Sequence, residues 1–184
     1  MTIVESATSE RPFAVFDSDQ YSVNGQLSQL VTCNEWSEMD EAAFQGWLKE
    51  VNGLTVFSYE SAWKAVAEKW IPICIKHRGV ALLERILVSY PERETLLNYL
   101  KATLIKHMEQ IMEDPKMFEV AIRHGCPNAI KNEVFCATAS VSFNIAKNDP
   151  AAFFKLIELF KPGDQADFVK ILLMRYAWNG GSAD

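Results

Sequence analysis

The chain has 184 residues, a net charge of −6, and 49% apolar against 23% charged residues. That length suits one domain with a well-filled core, and the composition excludes a disordered chain. Neither the acidic whole nor its near-neutral body carries the dense basic stripe of a nucleic-acid binder, so no nucleic acid is expected among its partners.

Residues 1–35 read as an acidic arm. The first residues lack the basic and apolar regions of a secretory signal, and no apolar run reaches the roughly 20 residues that span a bilayer, so a cytoplasmic protein without a membrane span is expected. Residues 1–60 carry a charge of −8 and the remainder +2. With Phe13, Val15, Phe16 and Tyr21, that imbalance predicts an arm that packs against or regulates the body; a solvated leader is the alternative. Asn24-Gly25 lies between strand-compatible residues and fits either a small hairpin or an unstructured segment.

From residue 36 to 178 the pattern is helical. Ser37 and Asp40 form a capping box in its short-acid form, and Phe44, Trp47, Leu48 and Val51 follow at helical spacing to a stop at Asn52-Gly53. Ser58 is the expected cap of the next helix, whose apolar edge is Trp63, Val66 and Trp70. Pro72 should kink it or start a new helix near residue 71. Val80, Leu83, Leu87 and Tyr90 mark a helix ending before Pro91. Leu97, Leu100, Leu104, Met108 and Ile111 mark another, closing at Asp114-Pro115. Met117, Phe118, Ala121 and Ile122 lead to Gly125, expected as a left-handed cap. Ile130, Val134, Ala137, Val141 and Ile145 share one face, with "CATASVSFNIA" read as tight core packing. Phe153, Ile157 and Phe160, then Phe168 to Trp178, complete the set. The reading is all-α: a single-domain bundle of seven or eight helices with a weakly structured N-terminal arm and a flexible tail at 179–184.

Gly79, Leu82, Leu83, Arg85, Ile86, Leu87 and Pro91 resemble the second globin helix and the proline that starts the third. Trp63 is similar to the tryptophan of the first, and the match covers residues 58–97. A globin-like fold follows as an expectation. The resemblance implies haem as cofactor, with His124 in "AIRHG" in the proximal place and His107 in "LIKHMEQIM" in the distal one. The chain departs from the family in two places that bear on the pocket. Only 17 residues separate the two histidines, and Leu97 stands where the family has a phenylalanine over the haem.

Chemistry is otherwise sparse. There is no HExxH, no glycine-rich phosphate loop and no GxSxG. The four cysteines, Cys33, Cys74, Cys126 and Cys136, form no CxxC pair, which points to reduced thiols. Cys74 and His77, at i and i+3, could meet as thiolate and imidazole. His124 and Cys126 flank Gly125 but make only two metal ligands, and the helix C-terminus explains the histidine more simply. Trp36, Trp47, Trp63 and Trp70 read as core, or as a partner surface if exposed together. The function expected is a non-catalytic globin-like module for sensing or protein–protein interaction. A haem-binding globin with a shortened distal-to-proximal segment is the first alternative, and a cysteine-dependent enzyme the second.

Overall fold

The computed structural model describes residues 23–33 and 35–178, with side chains given throughout except at 143–148 and 178. The described residues form one 3-10 helix, ten α-helices and one π-helical turn, with no strand among them. The α-helices are α1 (Glu38–Asn52), α2 (Val56–Ala65), α3 (Ile71–His77), α4 (Val80–Ser89), α5 (Glu94–Lys106), α6 (Met108–Met112), α7 (Pro115–His124), α8 (Lys131–Asn148), α9 (Pro150–Glu158) and α10 (Pro162–Trp178). The all-α expectation holds. So does the expected number, when the two nearly continuous passages α2–α3 and α5–α6 are each counted as one rod.

Helix starts follow local chemistry. The Ser37 hydroxyl accepts from the Asp40 N–H at 3.2 Å, and the Ser37 N–H donates back to the Asp40 carboxylate at 2.9 Å, so the capping box forms as expected. Two Asp-Pro pairs work differently. Asp114 accepts from Lys116 N and Met117 N, and Asp149 from Ala151 N and Ala152 N, while the following proline takes the first helical position, where it has no N–H to leave unpaired. Thr55, not Ser58, holds the N-cap position of α2, and its side chain makes no capping bond. The Thr55 hydroxyl donates to Ser58 Oγ instead.

A new helix, α3, begins at Ile71 beside Pro72 as expected, but it follows α2 without a sharp break. The segment Val66–Trp70 winds as a π-helix, and the Ile71 N–H donates to the Val66 carbonyl five residues back. This register shift absorbs a proline that has no N–H and whose ring would strike the carbonyl four residues earlier. At His107 (φ −106°, ψ 11°) the long leucine-rich helix is also interrupted, separating α5 from α6. Met108 and Ile111 still point into the core.

The expected boundary at residue 36 lies too late. Val23–Gln29 is a 3-10 helix packed on α1 and α2, not a hairpin, and it buries Asn24 and Leu27, with Leu30 and Val31 following. Asn24 is the reason. Its Nδ2 donates to the Ala62 carbonyl at 3.0 Å and its Oδ1 accepts from Trp47 Nε1 at 3.1 Å, so one buried amide joins α1 and α2. Phe13, Val15, Phe16, Tyr21 and the tail at 179–184 lie outside the described residues.

One continuous core runs through the bundle. Its N-terminal part is aromatic: Trp63 meets Trp47 at 5.4 Å and Tyr90 at 5.2 Å between ring centroids, both edge-on. In the C-terminal part, Phe160 stacks on Phe168 at 4.3 Å, and Phe135 meets both edge-on. Such pairs contribute about 1 kcal/mol each beyond the area they bury. Between the two parts, α4 packs on α7, and α8 on α5, α6, α9 and α10.

Two glycines serve close approach. A Cβ on Gly79 would lie 2.5 Å from the Val31 carbonyl oxygen, and one on Gly125 would lie 2.6 Å from the Ala121 oxygen and 3.2 Å from Leu87. Gly125 has φ −88° and is not the left-handed cap expected. The contact with its own helix and with α4 selects glycine there.

Candidate functional site

The residues that the globin resemblance singles out are not gathered round one space. Leu97, on α5, is buried in the core. His107, at the α5–α6 joint, is partly exposed, with Nδ1 3.0 Å from Gln110 Oε1. It lines a cleft of about 480 Å³ to which neither Leu97 nor His124 contributes. His124 ends α7 on the exposed side, its Nε2 3.3 Å from Glu84 Oε1 on α4.

Cys74 and His77 share α3, but Cys74 is wholly buried and His77 is exposed. Burial pushes the Cys74 thiol up to about 12. A thiol that keeps its proton is a packing group, not a nucleophile. The Cys126 thiol is also pushed up to about 12, mainly by burial and further by Asp164. Trp47, Trp63 and Trp70 are core, while Trp36 is half-buried. No group of three His, Cys, Asp or Glu side chains arranged to hold a metal ion occurs among the described residues. No helix of the described residues is long and apolar enough to cross a membrane.

Trp36 belongs to a polar clamp between α1 and α4. Glu41 accepts from Trp36 Nε1 at 2.8 Å, from Arg85 Nε at 2.9 Å and from Gln45 Nε2 at 2.9 Å. The Arg85 guanidinium lies 4.7 Å from the Trp36 ring centroid. Arg85 and His124 both reach Glu84, which extends the chain to α7. The hydrogen bonds from Gln45, Arg85 and Trp36 hold the Glu41 carboxyl at about 2, against 4.5 for a free one. A depressed carboxyl stabilises the fold above its unfolded value, and that contribution is lost as pH falls through the folded one. Glu41 is 40% exposed, so solvent screening keeps its worth below about 1 kcal/mol. Glu41→Gln should therefore lower stability slightly at neutral pH and flatten the loss between pH 4.5 and about 2, as read by urea midpoints across that range.

The feature with the clearest functional content is a groove of about 590 Å³ bounded by α5, α6, α8 and α10. Between residues 134 and 142 helix α8 carries no charged side chain. Val134, Phe135, Thr138, Ala139 and Ser142 are buried on one face, and Cys136, Ala137, Ser140 and Val141 lie on the other as the groove floor. The hydroxyls do not change this, because Thr138, Ser140 and Ser142 each donate to the carbonyl four residues back. Ile105 stands at the rim, 40% exposed. Arg175 of α10 reaches across to Ser140. Beside Arg175 on the same helix, Leu173 and Met174 are 62% and 55% exposed.

The sequence reading of α8 as tightly packed thus holds for one face only. The signal for the second face was present: a helical stretch that is apolar or small all round, as residues 134–142 are, must be covered on every side. No protein-family model, curated protein or solved structure matches this chain.

Proposed function

We propose that this protein is a non-catalytic helical module that binds another protein, and that the groove over α8 receives an amphipathic helix of the partner. The supporting observation is the outer face of α8. Cys136, Ala137, Ser140 and Val141 form a floor of small or apolar side chains, with Ile105 on its rim. Small residues let a second helix approach closely, and recognition of this type seats apolar anchors in such a groove. Lys106, Glu109, Glu133 and Arg175 at the edges supply charges of both signs, suited to fixing register. The buried Cys74 thiol, kept protonated and turned away from the exposed His77, offers no thiolate–imidazole pair.

Ala137→Glu places a charge on the half-buried floor of the groove. Proteins recovered on the intact chain from its source cells should include a specific partner that Ala137→Glu loses, while helicity and Tm stay unchanged. An identical set recovered on both chains would end the proposal. Haem titration discriminates the leading alternative, since no Soret band is expected. A Soret band that disappears in His124→Ala would replace this reading with a haem-binding globin.

A further inference from the structure

The helices depart from regular geometry at three points beside or within one cleft. The π-helical turn ends at Trp70, two residues before Pro72, Arg78 has φ 55°, and the α5–α6 break falls at His107. Pro72, Arg78 and His107 all line the cleft of about 480 Å³ described above. Irregular backbone persists only where the surroundings over-determine it, and it concentrates at binding sites.

Arg78 is the most informative of the three. The Gly79 N–H donates to the Cys74 carbonyl at 2.8 Å and the Arg78 N–H to the Ile75 carbonyl at 3.3 Å, the two bonds of a Schellman ending to α3. The left-handed position in this motif is ordinarily glycine, because a side chain there is strained. Here it is arginine, and among the described residues it is the sole non-glycine with positive φ. The negative end of the α3 dipole accounts for a basic residue nearby, and Lys76 and His77 already meet that need. It does not account for placing arginine at the strained position itself.

Arg78 and Lys76 have no ion-pair partner among the described residues. Both line one wall, and Glu113, also without such a partner, lines the other. Pro72, Ile75 and Met117 provide an apolar floor. We infer that this cleft is a small-molecule site for a zwitterion with an apolar body, an α-amino acid or dipeptide, whose carboxylate is held by Arg78 and Lys76 and whose ammonium faces Glu113. Its volume lies in the range of ligand pockets, and the paired charges suit a neutral zwitterion better than a simple anion. This site is independent of the groove over α8.

Amide chemical shifts of the ¹⁵N-labelled full chain test it, with L-leucine and L-leucyl-L-leucine as probes. Saturable shifts are expected at residues 76–79 and 107–117. N-acetyl-L-leucine, lacking the cation, and L-leucinamide, lacking the anion, should each bind about tenfold more weakly. Arg78→Gly should abolish the shifts and raise Tm, because glycine relieves the strained position while removing the carboxylate ligand. Arg78→Lys should weaken binding without that gain in Tm. The inference is overturned by an absence of saturable shifts at millimolar probe, by N-acetyl-L-leucine or inorganic phosphate binding as tightly as leucine, or by Arg78→Gly that binds like the parent. A lowered Tm in Arg78→Gly equally overturns the strain argument on which it rests.

Discussion

Gly79→Ala should destabilise the protein by about 3 kcal/mol. The added Cβ would sit 2.5 Å from the Val31 carbonyl oxygen. That oxygen is backbone, so no side chain can rotate to make room. Relief requires the segment after the 3-10 helix to move away from the α3–α4 junction, which would uncover Leu30 and Val31, both 3% exposed. The backbone of Gly79 itself, at φ −76° and ψ 63°, is not in the left-handed region, so the cost is one of packing. Urea unfolding of the two proteins measures it directly. A variant within about 0.5 kcal/mol of the parent would show that Val31 does not pack against residue 79 this closely.

Asn24→Ala is the second large effect, about 2 kcal/mol. Removing the amide leaves the buried Trp47 indole N–H unpaired, at a cost of roughly 1 to 3 kcal/mol, and takes from the Ala62 carbonyl one of its two donors, the other being the Val66 N–H. Asn24→Asp separates this pairing from mere volume. A protonated carboxyl can donate to Ala62 and accept from Trp47, whereas a buried carboxylate offers no donor and loses its hydration. The introduced carboxyl should therefore titrate higher in the folded chain than in the unfolded one. The variant should approach parental stability at acid pH and lose it as pH rises through that folded value, the opposite of the trend at Glu41. Urea midpoints from pH 4 to 7 check the sign; a pH-independent loss would contradict the pairing.

What local chemistry controls was legible in the sequence. The Ser37–Asp40 box, the helix ends at Asn52 and before Pro91, and the leucine faces of α4 and α5 all depend on residues within a few positions of one another. Single-residue deviations were not legible in the same way. Pro72 was expected to kink the helix or start a new one near residue 71; α3 does start at Ile71, but burial of Val66, Ala67, Trp70 and Ile71 on one side keeps the chain helical through a π turn rather than broken. Periodicity across Leu97 to Ile111 continues through His107 because both α5 and α6 present the same face to the core. The interruption leaves no trace in that pattern.

By itself the sequence determined the all-helical class, the approximate number of rods and most of the core, because amphipathic spacing and capping act over one or two turns. Only the tertiary structure decided where those rods turn for one another. Asn24-Gly25 reads locally as a hairpin turn, yet a partner 38 residues away in the chain makes Asn24 an interior pairing group. The spacing of Cys74 and His77 was correct for contact, but the core lies on one side of α3 and solvent on the other. His107 and His124 resemble a ligand pair only along the chain; in space they face a cleft and a surface glutamate. Alanine, serine and cysteine along α8 signal close packing without saying against what. Long-range contacts cover one face of that helix and leave the other as a groove, a distinction that no residue within α8 encodes.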